Sequence, residues 1–135
     1  MTEDRFRSQV VRYARQCGWK TMFIGRAKGG KAWLTPMGGD GKGWPDLTLV
    51  RERVIVAELK TNTNYHISDE ERDWLAALGL AGIETYVWRP RQWNEICDTL
   101  NRRDPDRWAR LLGASDGDTT QATVVQRMLE GRHVS

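Results

Sequence analysis

The sequence predicts an α/β or α+β domain built on a mixed β-sheet, and three observations carry that expectation. Apolar residues recur at helical spacing in residues 3–17, after Ser68 and again after Trp93. Four short runs rich in β-branched and aromatic residues separate those stretches, and the resulting order is α-β-β-β-α-β-α. With 135 residues the chain has room for one hydrophobic core, so residues 1–100 are expected to form the domain and 101–135 a partly helical accessory tail.

Each element has a local cause. In residues 3–17, Phe6, Val10, Tyr13, Ala14 and Cys17 form one stripe, and Arg5, Arg7, Arg12 and Arg15 fall largely outside it. Thr2 is placed to cap this helix and Gly18 to end it. Glu3 stands three residues before Phe6, at the start of the buried stripe, where the helix dipole also favours an acid. Trp19 to Ile24 reads as a strand. The loop GRAKGGKAWLTPMGGDGKG follows, with seven glycines and Arg26, Lys28, Lys31 and Lys42, and predicts no packed element.

Asp46 to Val50 and Val54 to Lys60 read as a hairpin across the polar turn Arg51, Glu52, Arg53. After the polar TNTNYH, Ser68 and Glu71 have the capping-box spacing, Trp74, Leu75, Leu78 and Ala81 supply an apolar helical face, and Gly82 stops it. Ile83 to Trp88 is the last strand, ended by Pro90, and Trp93, Ile96, Cys97 and Leu100 mark the last amphipathic helix. Beyond Asn101 the segments NRRDPDRW and GASDGD are polar and turn-rich, with a short helix expected over Thr123 to Leu129.

The net charge of +3 is unevenly spread: residues 1–60 hold 12 Lys and Arg against 6 acids, and the remainder holds 9 against 12. A basic half suits a polyanionic partner, but it is equally what a solvated surface shows. No apolar run approaches a membrane span, and MTEDRFRSQ lacks the apolar core of a signal peptide, so no membrane association and a cytoplasmic location are expected. Cys17 and Cys97 lie on apolar helix faces, which predicts buried free thiols.

The stretch VIVAELK ends a core strand in charge. Side chains alternate along a strand, so Glu58 and Lys60 project together with Val54 and Val56. With a three-residue turn at 51–53, Val50 pairs with Val54, Thr48 with Val56 and Asp46 with Glu58. Two carboxylates would then face each other with Cβ atoms about 4.5–5.5 Å apart, a repulsive arrangement unless positive charge intervenes. Lys60 supplies part of that charge, and a hard divalent cation would satisfy both carboxylates more completely. A two-residue turn would shift the register and part them. Read singly, an E-x-K is a surface ion pair; the pairing with Pro45 and Asp46 gives it weight.

Pro45-Asp46 followed by Glu58-Leu59-Lys60 resembles the motif of the PD-(D/E)xK nuclease superfamily. More narrowly, GWPDLTLV, AELK, the helix with Trp74-Leu75 and the stretch YVWRP resemble the small stand-alone VRR-NUC proteins often encoded by phages, over approximately residues 3–100. That resemblance implies a restriction-endonuclease-like core and a homodimer that hydrolyses DNA phosphodiesters, often in branched or Holliday-junction-like DNA. A phage-encoded protein would act in the host cytosol. It also implies Mg²⁺ or Mn²⁺ held by Asp46, Glu58 and the Leu59 backbone carbonyl, with Lys60 orienting the attacking water and Glu3 assisting at the metal. Many relatives carry a glutamine where this chain has Glu71, which leaves Glu71 either to cap Ser68 or to approach the metal. Arg26, Lys28, Lys31 and Lys42 are the expected phosphate contacts, giving salt-sensitive DNA affinity without sequence preference.

Two rival functions account for less of the sequence. GRAKGGKA, Gly25 to Ala32, follows a strand and matches a phosphate-binding loop except at Ala32, which lacks the hydroxyl for Mg²⁺, so no nucleotide cofactor is expected. A non-catalytic DNA-binding or interaction module on a nuclease fold would not need the converging carboxylates. Tyr65 and His66 are left without a role, and Trp33 and Trp44, near the basic loop, are candidates to stack on bases or to seal a dimer.

Overall fold

A computed structural model describes residues 1–24, 38–104 and 106. Met1–Arg102 forms one compact unit, and of the second, Arg103–Ser135, three residues are described. The basic loop residues Arg26, Lys28, Lys31 and Trp33, the GRAKGGKA segment and the helix expected over 123–129 lie outside the described residues.

Helix α1 spans Glu3–Gln16, and Thr2 Oγ1 caps it by accepting from the Arg5 N–H at 3.2 Å. Its buried stripe is Phe6, Val10 and Ala14, and Gly18, at φ +88°, supplies the left-handed turn that releases the chain into β1, Lys20–Phe23. Strands β2, Leu47–Val50, and β3, Val54–Leu59, follow, then helix α2, Asp69–Leu80, strand β4, Glu84–Trp88, and helix α3, Trp93–Asn101. The sheet order is β1-β2-β3-β4; β1/β2 and β2/β3 are antiparallel and β3/β4 is parallel, with α2 as the crossover. Among the described residues this is a mixed α+β architecture with a four-stranded mixed sheet and the three helices α1 to α3. It adds a 3₁₀ turn, Pro90–Gln92, that the expected order omitted. Pro90 fixes φ at the turn's first position, and the Gln92 side chain accepts from the Arg89 N–H at 2.9 Å.

The core lies on one face of the sheet. Phe6, Val10 and Ala14 of α1 and Ile96 and Leu100 of α3 bury Leu47, Leu49, Ile55, Ala57 and Leu59, with Trp19 and Trp88 at its border. Helix α2 behaves differently from its predicted apolar face: Trp74, Leu75 and Leu78 are half-buried, Ala81 is exposed and Leu80 is 91% exposed. Cys17 and Cys97 are free but half-buried, a correction to the expected burial; each stands at the margin of its helix's buried stripe. Among the described residues no helix is long and apolar enough to cross a membrane.

The polar β2–β3 turn is not a solvated loop. Glu52 and Arg53 are buried, because α3 ends over the turn and leaves its last carbonyls in need of donors. Arg51 donates to the Leu100 and Arg102 carbonyls at 3.1 and 2.6 Å and to Cys17 O at 2.9 Å. Arg53 donates to Thr99 O and, at 2.6 Å, to Arg102 O. Glu52 grips Arg51 with both oxygens, at 2.6 and 2.8 Å, and Glu84 takes Arg53 Nε at 2.8 Å. Both guanidiniums lie over the Trp19 ring, at 4.4 and 4.9 Å. Removing one member of such a buried set strands the others, so Arg53→Ala is expected to lower stability by about 3 kcal/mol in urea unfolding.

Candidate active site

The active-site candidates sit where β2 begins and β3 ends. The observed register, Val50↔Val54 to Leu47↔Ala57, contains a three-residue turn, and one further step sets Asp46 opposite Glu58. Asp46 is anchored by its backbone, whose carbonyl accepts from Ile24 N at 3.1 Å, and by its side chain, whose Oδ2 accepts from Leu59 N at 3.0 Å. Glu58 is 4% exposed and Lys60 6% exposed, both on the sheet face away from the core.

Charge in this cluster is unbalanced. Lys60 Nζ stands 3.1 Å from Glu71 Oε2 and 3.7 Å from Glu58 Oε1, so one ammonium serves both Glu58 and Glu71. Glu58 Oε2 is buried without a hydrogen-bond partner among the described residues, and Glu71 Oε2 meets Lys60 by proximity without hydrogen-bond geometry. Burial first, then the closeness and charge of Asp46 and the charge of Glu71, push Glu58 up to about 9 against the weaker pull of Lys60. The upward direction reflects a shortage of positive charge around this buried carboxyl.

A divalent cation fits this donor set: an orphaned buried carboxylate oxygen, a second carboxylate opposite it, and the Leu59 backbone beside both. Among the described residues no three His, Cys, Asp or Glu side chains form a metal-ligating group, so backbone carbonyl and water would complete the coordination. Beside Asp46 lies a cavity of about 230 Å³ whose lining includes Glu3, Arg7, Ile24, Asp46 and Leu59. Glu3 thus faces the same space as Asp46, with its Oε1 accepting from Asn64 Nδ2 at 3.2 Å.

Other expected site residues are placed differently. Glu71 does not complete the capping box: Ser68 Oγ accepts from its N–H at 3.1 Å, but its side chain turns to Lys60, the stronger partner for a carboxylate. Lys42 is exposed and pairs with Glu70 at 3.4 Å, beside Trp74 and away from Asp46. Trp44 meets Trp74 edge-on, with ring centroids 4.9 Å apart, and donates to Thr48 Oγ1 at 3.3 Å, so it packs within this chain. Tyr65 and His66 are exposed, and Tyr65 lies under the Arg89 guanidinium.

Three supports escaped the sequence reading. Arg7, counted there with the solvated arginines, reaches the Asp46 cavity. Buried Arg89 donates to the Thr61 and Asn64 carbonyls and so holds the connection that follows Lys60; its only sequence signal is its place between Trp88 and Pro90. Gly43, at φ +88°, lets the loop before Asp46 press on α2, where an added Cβ would come within 2.6 Å of Glu70 backbone. Trp74 Nε1 fastens the same loop by donating to Asp40 O at 2.9 Å.

No protein-family model, no curated protein and no solved structure matches this chain.

Two outcomes are expected of the site itself. Gly43→Ala should lower stability by more than about 1 kcal/mol, from φ strain and the backbone clash, in urea melts read beside Trp74 fluorescence. In chelator, the raised folded-state pKa of Glu58 means the folded protein holds a proton that the unfolded chain loses above about 4.5. That contribution to stability is complete below pH 4.5 and declines as pH rises toward about 9. Urea unfolding at pH 5, 7 and 9 should show the decline in wild type and a flatter profile in Glu58→Gln.

Proposed function

We propose that this protein is a divalent-metal-dependent DNA endonuclease of the PD-(D/E)xK kind, resembling the small VRR-NUC proteins and selective for branched or junction-like DNA. The observation that carries the reading is the buried, orphaned Glu58 oxygen, opposed by Asp46 and flanked on the same face by Lys60. A purely structural strand end has no need of two facing carboxylates, which destabilise it.

In this reading Asp46, Glu58 and the Leu59 carbonyl hold Mg²⁺ or Mn²⁺. Such a cation, when bound, would supply a lowered pKa for bound water and positive charge beside the scissile phosphate. Asp46 is held rigidly by Leu59 N–H, so its remaining oxygen is oriented before any ligand arrives. Lys60, steadied by Glu71, presents its ammonium beside Glu58, where it orients the attacking water and stabilises charge developing in the transition state. Glu3 and Arg7 border the cavity through which a phosphate would enter. A homodimer would place two such centres about a two-fold axis, as paired cuts across a junction require.

Purified protein with Mg²⁺ or Mn²⁺ should nick plasmid, flap, fork or four-way-junction DNA. Asp46→Ala, Glu58→Ala and Lys60→Ala should each reduce the rate by about 10²-fold or more while retaining the wild-type circular dichroism spectrum. A wild type that binds these substrates and cuts none would instead identify a non-catalytic DNA-binding module.

A further inference from the structure

Beyond the cleft, α1 carries a second surface. Arg7, Arg12 and Arg15 flank a groove of about 640 Å³ between α1 and β1, with Phe23 on its floor and Ser8 on its wall. Among the described residues that line it none is acidic. Arg12 and Arg15 are exposed, and neither is in an ion pair with a described residue. Arg7 is more constrained: its guanidinium lies 4.8 Å from the centre of the Phe23 ring and 3.3 Å from Asp4 Oδ1. It also lines the smaller cavity that contains Asp46. The cleft and the groove therefore share one lining residue, Arg7.

Helix geometry sets the scale. Eight residues from Arg7 to Arg15 span about 12 Å of helix. That matches roughly three nucleotides of duplex at about 3.4 Å each. Arg12 and Arg15 are helical neighbours at i, i+3, so their guanidiniums can engage adjacent phosphates. Each presents a planar fork suited to phosphate oxygens, which a surface selected only for solubility does not require at continuous sites on one groove. Half-exposed Phe23 gives the groove an apolar floor for sugar and base faces.

We infer that the α1 groove is the track for the DNA strand leading away from the cleft, with its phosphates taken by Arg7, Arg12 and Arg15. The direction of the track rests on the nuclease reading; the groove's capacity to bind a nucleic-acid backbone does not. The arginines that the sequence assigned to a solvated helix face thus become the described binding surface.

The test uses the full chain with a fluorescein-labelled 20-nucleotide duplex and its single strand, in EDTA, over a salt series. R12A/R15A should reduce the slope of log K against log salt by about 1.8 for duplex or about 1.4 for single strand, the loss of two phosphate contacts. R72A/R91A, two exposed arginines off α1, serves as the charge-matched control. A slope unchanged in R12A/R15A, or changed no more than in the control, overturns the inference. Cleavage of the same oligonucleotides in Mn²⁺ is read separately. Wild type that cuts, with R12A/R15A equal to it in slope and rate, also overturns the track. Wild type that never cuts, with the slope loss intact, sinks the nuclease reading and leaves the groove as a nucleic-acid surface.

Discussion

Asp46 and Glu58 face each other only because the connection between β2 and β3 holds three residues, and a turn one residue shorter would send one of them into the core. That turn lies at the far end of the hairpin, where Arg51, Glu52 and Arg53 are locked beneath the last turn of α3. Glycine-based tight turns usually fix hairpin register; here a buried charge network does so. The two ends of the hairpin are therefore parts of one device. The network costs desolvation of two arginines and a glutamate, offset by the carbonyls of α3 and the Trp19 face, and it fixes where the acids stand five residues away on each strand.

At the site end the same logic is inverted. The Arg51–Arg53 network leaves no buried guanidinium nitrogen without an acceptor, whereas Glu58 keeps a buried oxygen without a donor among the described residues. Leaving such a group unpaired costs about 1–3 kcal/mol. The surroundings hold it in place nonetheless: Leu59 N–H ties Asp46, Gly43 brings the preceding loop against α2, and Arg89 restrains the chain beyond Lys60. Rigid support around an unsatisfied centre is what the proposed metal site would require.

Much of this was legible in the sequence because it rests on periodicity. Alternation along VIVAELK places Glu58 and Lys60 on one face, and the apolar spacing of Phe6, Val10 and Ala14 gives α1. What escaped were contacts between residues distant in the chain. Nothing local tells that Glu52 and Arg53 are buried, since the carbonyls that Arg53 serves belong to Thr99 and Arg102, and Glu52 accepts from the Arg51 guanidinium held against the same helix end. The S-x-x-E signature overstated Glu71's role as a cap, because the signature is blind to Lys60 arriving from β3. Trp44, adjacent to a basic loop, looked available for stacking until Trp74 was brought alongside it by the crossover.

The two faces of the sheet divide the work. α1 and α3 cover one face with Phe6, Val10, Ile96 and Leu100 and supply the domain's buried apolar area. α2 covers the other with only half-buried side chains and leaves Leu80 in solvent. A helix so weakly packed adds little hydrophobic stabilisation, yet its first turn delivers Glu71 to Lys60 and receives Gly43 from the Asp46 loop. Its function is positional: it fixes the charged residues at the end of β3 from above while stability comes from below. Because the core face does not depend on those charges, side chains at the site could be chosen for chemistry at a cost the opposite face absorbs.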